Sequence, residues 1–170
     1  MIASVIDCSY GVTDMRYSEL VQAIKSNTLA DLENLLAEKC IKLLSGSTRD
    51  AYMFDTHVVK VNNYSQDENS KEYKNYCASK VGLLNIPIVQ TRLYKTTDDK
   101  NVLIQERLLK MVDCYTYSPE LYTSYLESQE IRDIEDQLLA SGVHSDAFND
   151  GAHMGYNKRN QVVLYDISRY

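Results

Sequence analysis

The spacing of apolar positions changes character several times along the chain. Between residues 15 and 40, Tyr17, Leu20, Val21 and Ile24, and then Leu29, Leu32, Leu35 and Leu36, recur at helical intervals. Asn27-Thr28 stands between the two runs as an N-cap, so two short amphipathic helices are predicted. Their apolar faces must cover something, either the back of a sheet that follows or a partner surface. From residue 41 to 61 the pattern becomes strand-like. A small-residue loop at Ser45-Gly46-Ser47, an alternating strand, a polar turn at Asp55-Thr56-His57 and the run Val58-Val59-Lys60-Val61 together predict a hairpin. Lys60 among three valines either snorkels its ammonium outward or is buried, and a buried ammonium requires an anion.

After a polar loop at 62–67 the spacing predicts a helix over about 68–80, with Glu72, Tyr76 and Lys80 on one line and Tyr73, Cys77 and Val81 on another. A segment at 83–89 leads into a strand at 91–94. A turn at 97–101 then returns the chain as a strand over 102–108. Ser118-Pro119-Glu120 is a helix start, with serine as cap and proline in the first turn. Helical spacing continues through Leu121, Tyr125, Leu126, Ile131, Ile134, Leu138 and Leu139 to Gly142, as two helices broken near 128–130. Residues 143–157 read as a polar loop, and 161–166 as a short strand ending on Asp166.

A chain of 170 residues builds one domain with a sizeable core or two small lobes sharing a cleft. A formal net charge of −6 and the absence of any basic run argue against nucleic-acid binding, which needs clustered Lys and Arg. Cys8, Cys40, Cys77 and Cys114 lie more than thirty residues apart, unlike zinc-ribbon pairs or disulfide scaffolds, and read as free buried thiols in a reducing compartment. The start of the chain lacks a basic n-region, and no stretch reaches membrane-spanning length. A soluble cytoplasmic protein without membrane contact is expected.

Taken in order, a small-residue loop over a strand lysine, a helix glutamate, a strand ending in Gln105-Glu106-Arg107-Leu108, and a polar loop before an apolar strand closing on Asp166 resemble the protein-kinase fold. The resemblance covers residues 41–170 and is closest to the minimal Ser/Thr protein kinases encoded by phages. It implies an α+β architecture: an N-terminal helical extension at 1–40, an N-lobe at 41–109 with a small antiparallel sheet and one helix, and a truncated, mainly helical C-lobe at 110–170.

Carried over by residue, the resemblance makes Ser45, Gly46 and Ser47 the glycine-rich loop over the nucleotide phosphates, although only one of the family's three glycines is present. It makes Lys60 the lysine that holds the α- and β-phosphates and Glu72 the carboxylate that orients it. Ala51 and Val58 would lie over adenine, Glu106 and Leu108 would pair with its edge, and Gln105 would stand at its entrance. Asp166 corresponds to the Mg²⁺-binding aspartate, with Ile167 and Ser168 in place of phenylalanine and glycine.

His144-Ser145-Asp146 resembles the catalytic His-Arg-Asp. Counting back from Asp166 by the family's interval, however, puts Phe148 at the catalytic aspartate and His153 at the second Mg²⁺ ligand. Either Asp146 or Asp150 would then be the base, according to the length of the loop. Two functions follow from the resemblance. One is an ATP- and Mg²⁺-dependent Ser/Thr kinase, phage-encoded and acting on host proteins in the host cytoplasm. The other is an inactive pseudokinase that binds and inhibits a host enzyme or defence protein. A third reading is an α+β protein of other function in which the spacing is coincidental.

Overall fold

The computed structural model describes residues 4–7, 15–64, 67–84, 87–112, 129–140 and 154–166. The chain is α+β. Contacts divide it into two compact units, Met1–Tyr73 with Gln90–Arg107, and Lys74–Val89 with Leu108–Tyr170, and the division falls within one helix.

The first unit is built on a six-stranded antiparallel sheet. Its strands are β1 (Ser4–Asp7), β2 (Lys42–Ser45), β3 (Arg49–Met53), β4 (His57–Asn62), β5 (Thr91–Lys95) and β6 (Asn101–Glu106), in the spatial order β1-β2-β3-β4-β6-β5. Helices α1 (Tyr17–Ser26) and α2 (Leu29–Lys39) precede β2, and α3 (Glu68–Lys80) follows β4. The strands β2, β3 and β4 form a meander because polar turns fall where the alternation of apolar residues stops. β5 and β6 form the hairpin expected from Thr97-Asp98-Asp99-Lys100, with Asp99 in the left-handed region at φ 61.

The register fixes which side chains share each face. Ala51 pairs with Lys60, Lys60 with Leu103, and Leu103 with Leu93, so these four lie on one side of the sheet. Tyr52, Val59 and Ile104 lie on the other, joined by Val61 and Val102 one step along the ladder. That second face packs against Leu20, Ala23, Ile24, Leu32 and Leu36 of α1 and α2, and Phe54 completes the cluster. The two helices thus cover the sheet directly and share one core with it, and β1 adds a strand to its edge. Residues 1–40, expected as a helical extension, therefore contain a sheet strand and fall in the same unit as the meander.

The tip of the β5–β6 hairpin fastens α2 in place. The Leu29 N–H donates to the Asp98 carboxylate at 3.0 Å and the Thr97 N–H to the Asn27 carbonyl at 3.0 Å, while the Thr28 hydroxyl accepts from the Asp31 N–H at 3.3 Å as N-cap.

In the second unit, β7 (Lys110–Val112), β8 (Met154–Tyr156) and β9 (Val162–Leu164) form a three-stranded antiparallel sheet. Ile88 bridges Leu164 in parallel, with the Val89 N–H donating to the Leu164 carbonyl at 2.9 Å. Met154, Val162, Val163 and Leu164 are buried. A helix here labelled α4 spans Gln129–Ala140. It matches the second of the two helices expected between Ser118 and Gly142, and the first lies outside the described residues. Asp166, just past β9, holds the left-handed conformation at φ 60, which aspartate tolerates better than most residues.

The cysteines require a correction. Cys40 is buried as expected, but Cys77 is exposed, and Cys8 and Cys114 lie outside the described residues. On α3 the buried positions are Glu68, Asn69, Glu72 and Tyr76, at helical intervals, and Cys77 is turned about 100° away from Tyr76. Among the described residues no helix is long and apolar enough to cross a membrane.

Candidate functional site

On the side of the sheet opposite α1 and α2, β3, β4 and β6 carry Arg49, Lys60 and Gln105, and the first two turns of α3 bring Asn69 and Glu72 against them. All five are buried, and Glu72 and Asn69 are completely so. The outward, snorkelling reading of Lys60 is therefore excluded: it is 6% exposed and faces an anion. Its ammonium lies 3.2 Å from each Glu72 carboxylate oxygen.

Arg49 and Gln105 also donate to Glu72. Arg49 Nη1 reaches Oε2 at 2.5 Å and Gln105 Nε2 reaches Oε1 at 2.7 Å. With Lys60 shared between both oxygens, the roughly four acceptor positions of a carboxylate are occupied. Gln105 also donates to the Thr91 hydroxyl at 3.0 Å. Asn69 accepts from Arg49 at 3.4 Å and donates to the main-chain carbonyls of Lys60 at 2.9 Å and Asn101 at 3.0 Å, stitching α3 to two strands. Asp67 caps the helix, accepting from the Ser70 N–H at 3.1 Å and from Asn62 and Asn101.

The electrostatics follow from this burial. Desolvation pushes the Glu72 carboxyl up, but the charges of Lys60 and Arg49 outweigh it and hold the group below its ordinary value. Desolvation pulls the Lys60 ammonium down, Glu72 opposes this and Arg49 adds to it, leaving the lysine at about 8. The unfolded chain therefore holds more protons than the folded one from about pH 8 up to the ordinary lysine value of 10.5, and Lys60's contribution to stability rises with pH across that window. Lysine side-chain NMR is expected to show one resonance titrating near pH 8 that is missing from Lys60→Met. A spectrum with no titration below pH 10 would contradict this environment.

The loop between β2 and β3 is a tight turn. The Gly46 N–H donates to the Arg49 carbonyl at 2.9 Å, and a Cβ at Gly46 would stand 2.8 Å from that same oxygen. Glycine is required here for close approach to the protein's own backbone, and its N–H is already used. Asn63 braces the turn by donating to the Gly46 carbonyl at 3.0 Å and to Asp50 at 3.2 Å. Ser45 belongs to β2 and Ser47 is exposed at the tip.

Ala51 and Val58, on the same face as Lys60, are half-buried. Glu106 ends β6 with its N–H on the Gln90 carbonyl at 3.0 Å, and Leu108, two residues on, is buried in the second unit. Gln105, expected at the entrance to an adenine site, donates to Glu72 and Thr91. Asp166 belongs to the second unit, and Asp146, Asp150, Phe148 and His153 lie outside the described residues. Among the described residues no group of three or more His, Cys, Asp or Glu could hold a metal ion. The Asp166 carboxylate is a donor of the kind that fits Mg²⁺, which commonly takes one or two protein carboxylates and fills its remaining positions with phosphate oxygens and water.

The contributions of Arg49 and Asn69 were not foreseen from the sequence. Arg49 follows a turn and reads as a solvated strand-end residue, and nothing in its spacing announces a partner 23 positions away. No family model, curated protein or solved structure matches the chain.

Proposed function

We propose that the protein is a minimal kinase-like, ATP-binding phosphotransferase of the Ser/Thr protein kinase type, with host proteins as its substrates. The observation that supports this reading is the buried Lys60–Glu72 ion pair, with the lysine on the third strand of a meander and the glutamate on the helix that follows. Protein kinases place these two residues in the same way to hold the α- and β-phosphates of ATP.

On this reading, Lys60 binds the phosphate chain, Glu72 fixes the lysine, and the half-buried Ala51 and Val58 line the adenine side. Asp166 would hold Mg²⁺, which when bound neutralises phosphate charge. Asp146 or Asp150 would accept the proton of the substrate hydroxyl as its oxygen bonds the γ-phosphorus and the bond to ADP breaks. Catalysis of this kind consists chiefly of positioning and electrostatic stabilisation, so a reduced framework can carry it.

A second reading, a pseudokinase that binds and inhibits a host enzyme or defence protein, is favoured by one feature. The Gly46 N–H, which would otherwise face phosphate, is bonded to the Arg49 carbonyl.

The test is thermal denaturation with ATP, with and without Mg²⁺. A ligand at one hundred times its dissociation constant stabilises the folded state by about 2.7 kcal/mol, which corresponds to a rise of roughly 5–10 °C for a chain of this size. Lys60→Met is expected to abolish that rise. A wild-type protein that shows none, at millimolar ATP with Mg²⁺, rules out both nucleotide binding and the kinase. Binding without transfer of labelled phosphate to any lysate protein selects the second reading.

A further inference from the structure

We infer that Arg49 is a positioning residue of the same site: it holds Glu72, and through Glu72 the start of α3, so that Lys60 can leave the carboxylate for a phosphate group without undocking the helix. The inference rests on the nucleotide reading for the identity of Lys60's ligand, while the clamp itself is independent of it.

Three observations carry it. Arg49 and Gln105 both donate to the Glu72 carboxylate, Gln105 at 2.7 Å, whereas Lys60 stands 3.2 Å from both oxygens, beyond the 2.7–2.9 Å usual for a charge-assisted bond. Arg49 also reaches Asn69, one turn earlier on α3, so a single guanidinium grips the helix at two positions. A guanidinium is also more weakly hydrated than an ammonium and so suits a buried pair with Glu72. Asn69 in turn binds the carbonyls of Lys60 and Asn101, so the grip extends across β4 and β6. If Lys60 turns to a phosphate oxygen, Glu72 keeps a cation and an amide donor and is not left as a bare buried anion.

Backbone amide exchange over 69–73 and ATP affinity test the inference together, in wild type, Arg49→Met, Arg49→Lys, Lys60→Met and Asp67→Ala. Arg49→Met is expected to speed α3 exchange at least tenfold and Lys60→Met less than threefold. Arg49→Met is also expected to weaken ATP binding about tenfold with Lys60 intact, because Glu72 then loses the Arg49 charge and draws Lys60 more strongly. Arg49→Lys restores part of both. Asp67→Ala, which removes the helix cap and leaves the charged groups in place, is expected to loosen α3 while keeping ATP affinity within about twofold.

Equal exchange effects from Arg49→Met and Lys60→Met would overturn the inference. So would an ATP affinity that follows stability alike in Arg49→Met and Asp67→Ala. Should Arg49→Met fail to fold, Arg49→Lys is read by the same comparison. If wild type binds no ATP, the nucleotide reading falls, and the exchange rates alone decide whether Arg49 is the clamp.

Discussion

Replacement of Glu72 by alanine is expected to destabilise the first unit by about 3–5 kcal/mol, the range found when one partner of a buried ion pair is removed. The reason is specific to this site. Glu72 is fully buried, and its removal leaves two buried cations, Arg49 and Lys60, without the anion they share, and leaves Gln105 Nε2 short of an acceptor. Urea denaturation of wild type and Glu72→Ala at pH 7 measures the difference, and a change under about 1 kcal/mol would show that the cluster does not hold the unit together. Glu72→Gln, which keeps the shape and loses the charge, is expected to fall in between. The pH dependence has a definite sign. The folded-state pKa of Glu72 lies below the ordinary 4.5, so its stabilisation is complete above that value and is lost as pH falls through the folded pKa. Wild type and Glu72→Ala should therefore converge in acid.

Removing residues 1–40 is expected to leave a chain that does not fold, although those residues lie outside the region that resembles a kinase. Deleting them uncovers the face made by Tyr52, Phe54, Val59, Val61, Val102 and Ile104. The four helix side chains Leu20, Ile24, Leu32 and Leu36 are fully buried. At about 1.5–3 kcal/mol each they represent roughly 6–12 kcal/mol of apolar burial, comparable to the whole stability of a typical domain, about 5–15 kcal/mol. Circular dichroism and expression of a chain beginning at Ile41 would check this. A soluble, cooperatively unfolding product would mean that the helices are dispensable.

The parts of the fold that could be read from the sequence are those that depend on local pattern. The helical spacing of Leu20, Ile24, Leu32 and Leu36 gave α1 and α2, the Asn27-Thr28 cap gave the break between them, and the polar stretch at 97–101 gave the β5–β6 turn, because each is set by residues adjacent in the chain. Lys60 stood out because a lysine among valines conflicts with its surroundings, and Glu72 was reached only through the order of residues in the kinase resemblance. Arg49 did not stand out, and Gln105 was singled out without its bond to Glu72. Their burial depends on strand register, which sets Ala51 opposite Lys60 and Val58 opposite Gln105, and no local signal specifies that alignment. Gly46 was legible as a residue the turn needs, but its use was not, since the oxygen it approaches belongs to the backbone of Arg49. Cys77 was placed wrongly because an α-helix turns an apolar residue out to solvent as readily as in when it stands beside the buried stripe.

A carboxylate with two cations separates two kinds of mutational damage. In a site with a single lysine facing a single glutamate, losing the lysine strands an anion in the interior, and selection for a folded product preserves the ligand-binding group along with it. Here the lysine can drift away while Arg49 keeps the interior neutralised. A descendant of this chain could therefore lose Lys60 in one substitution and keep its shape.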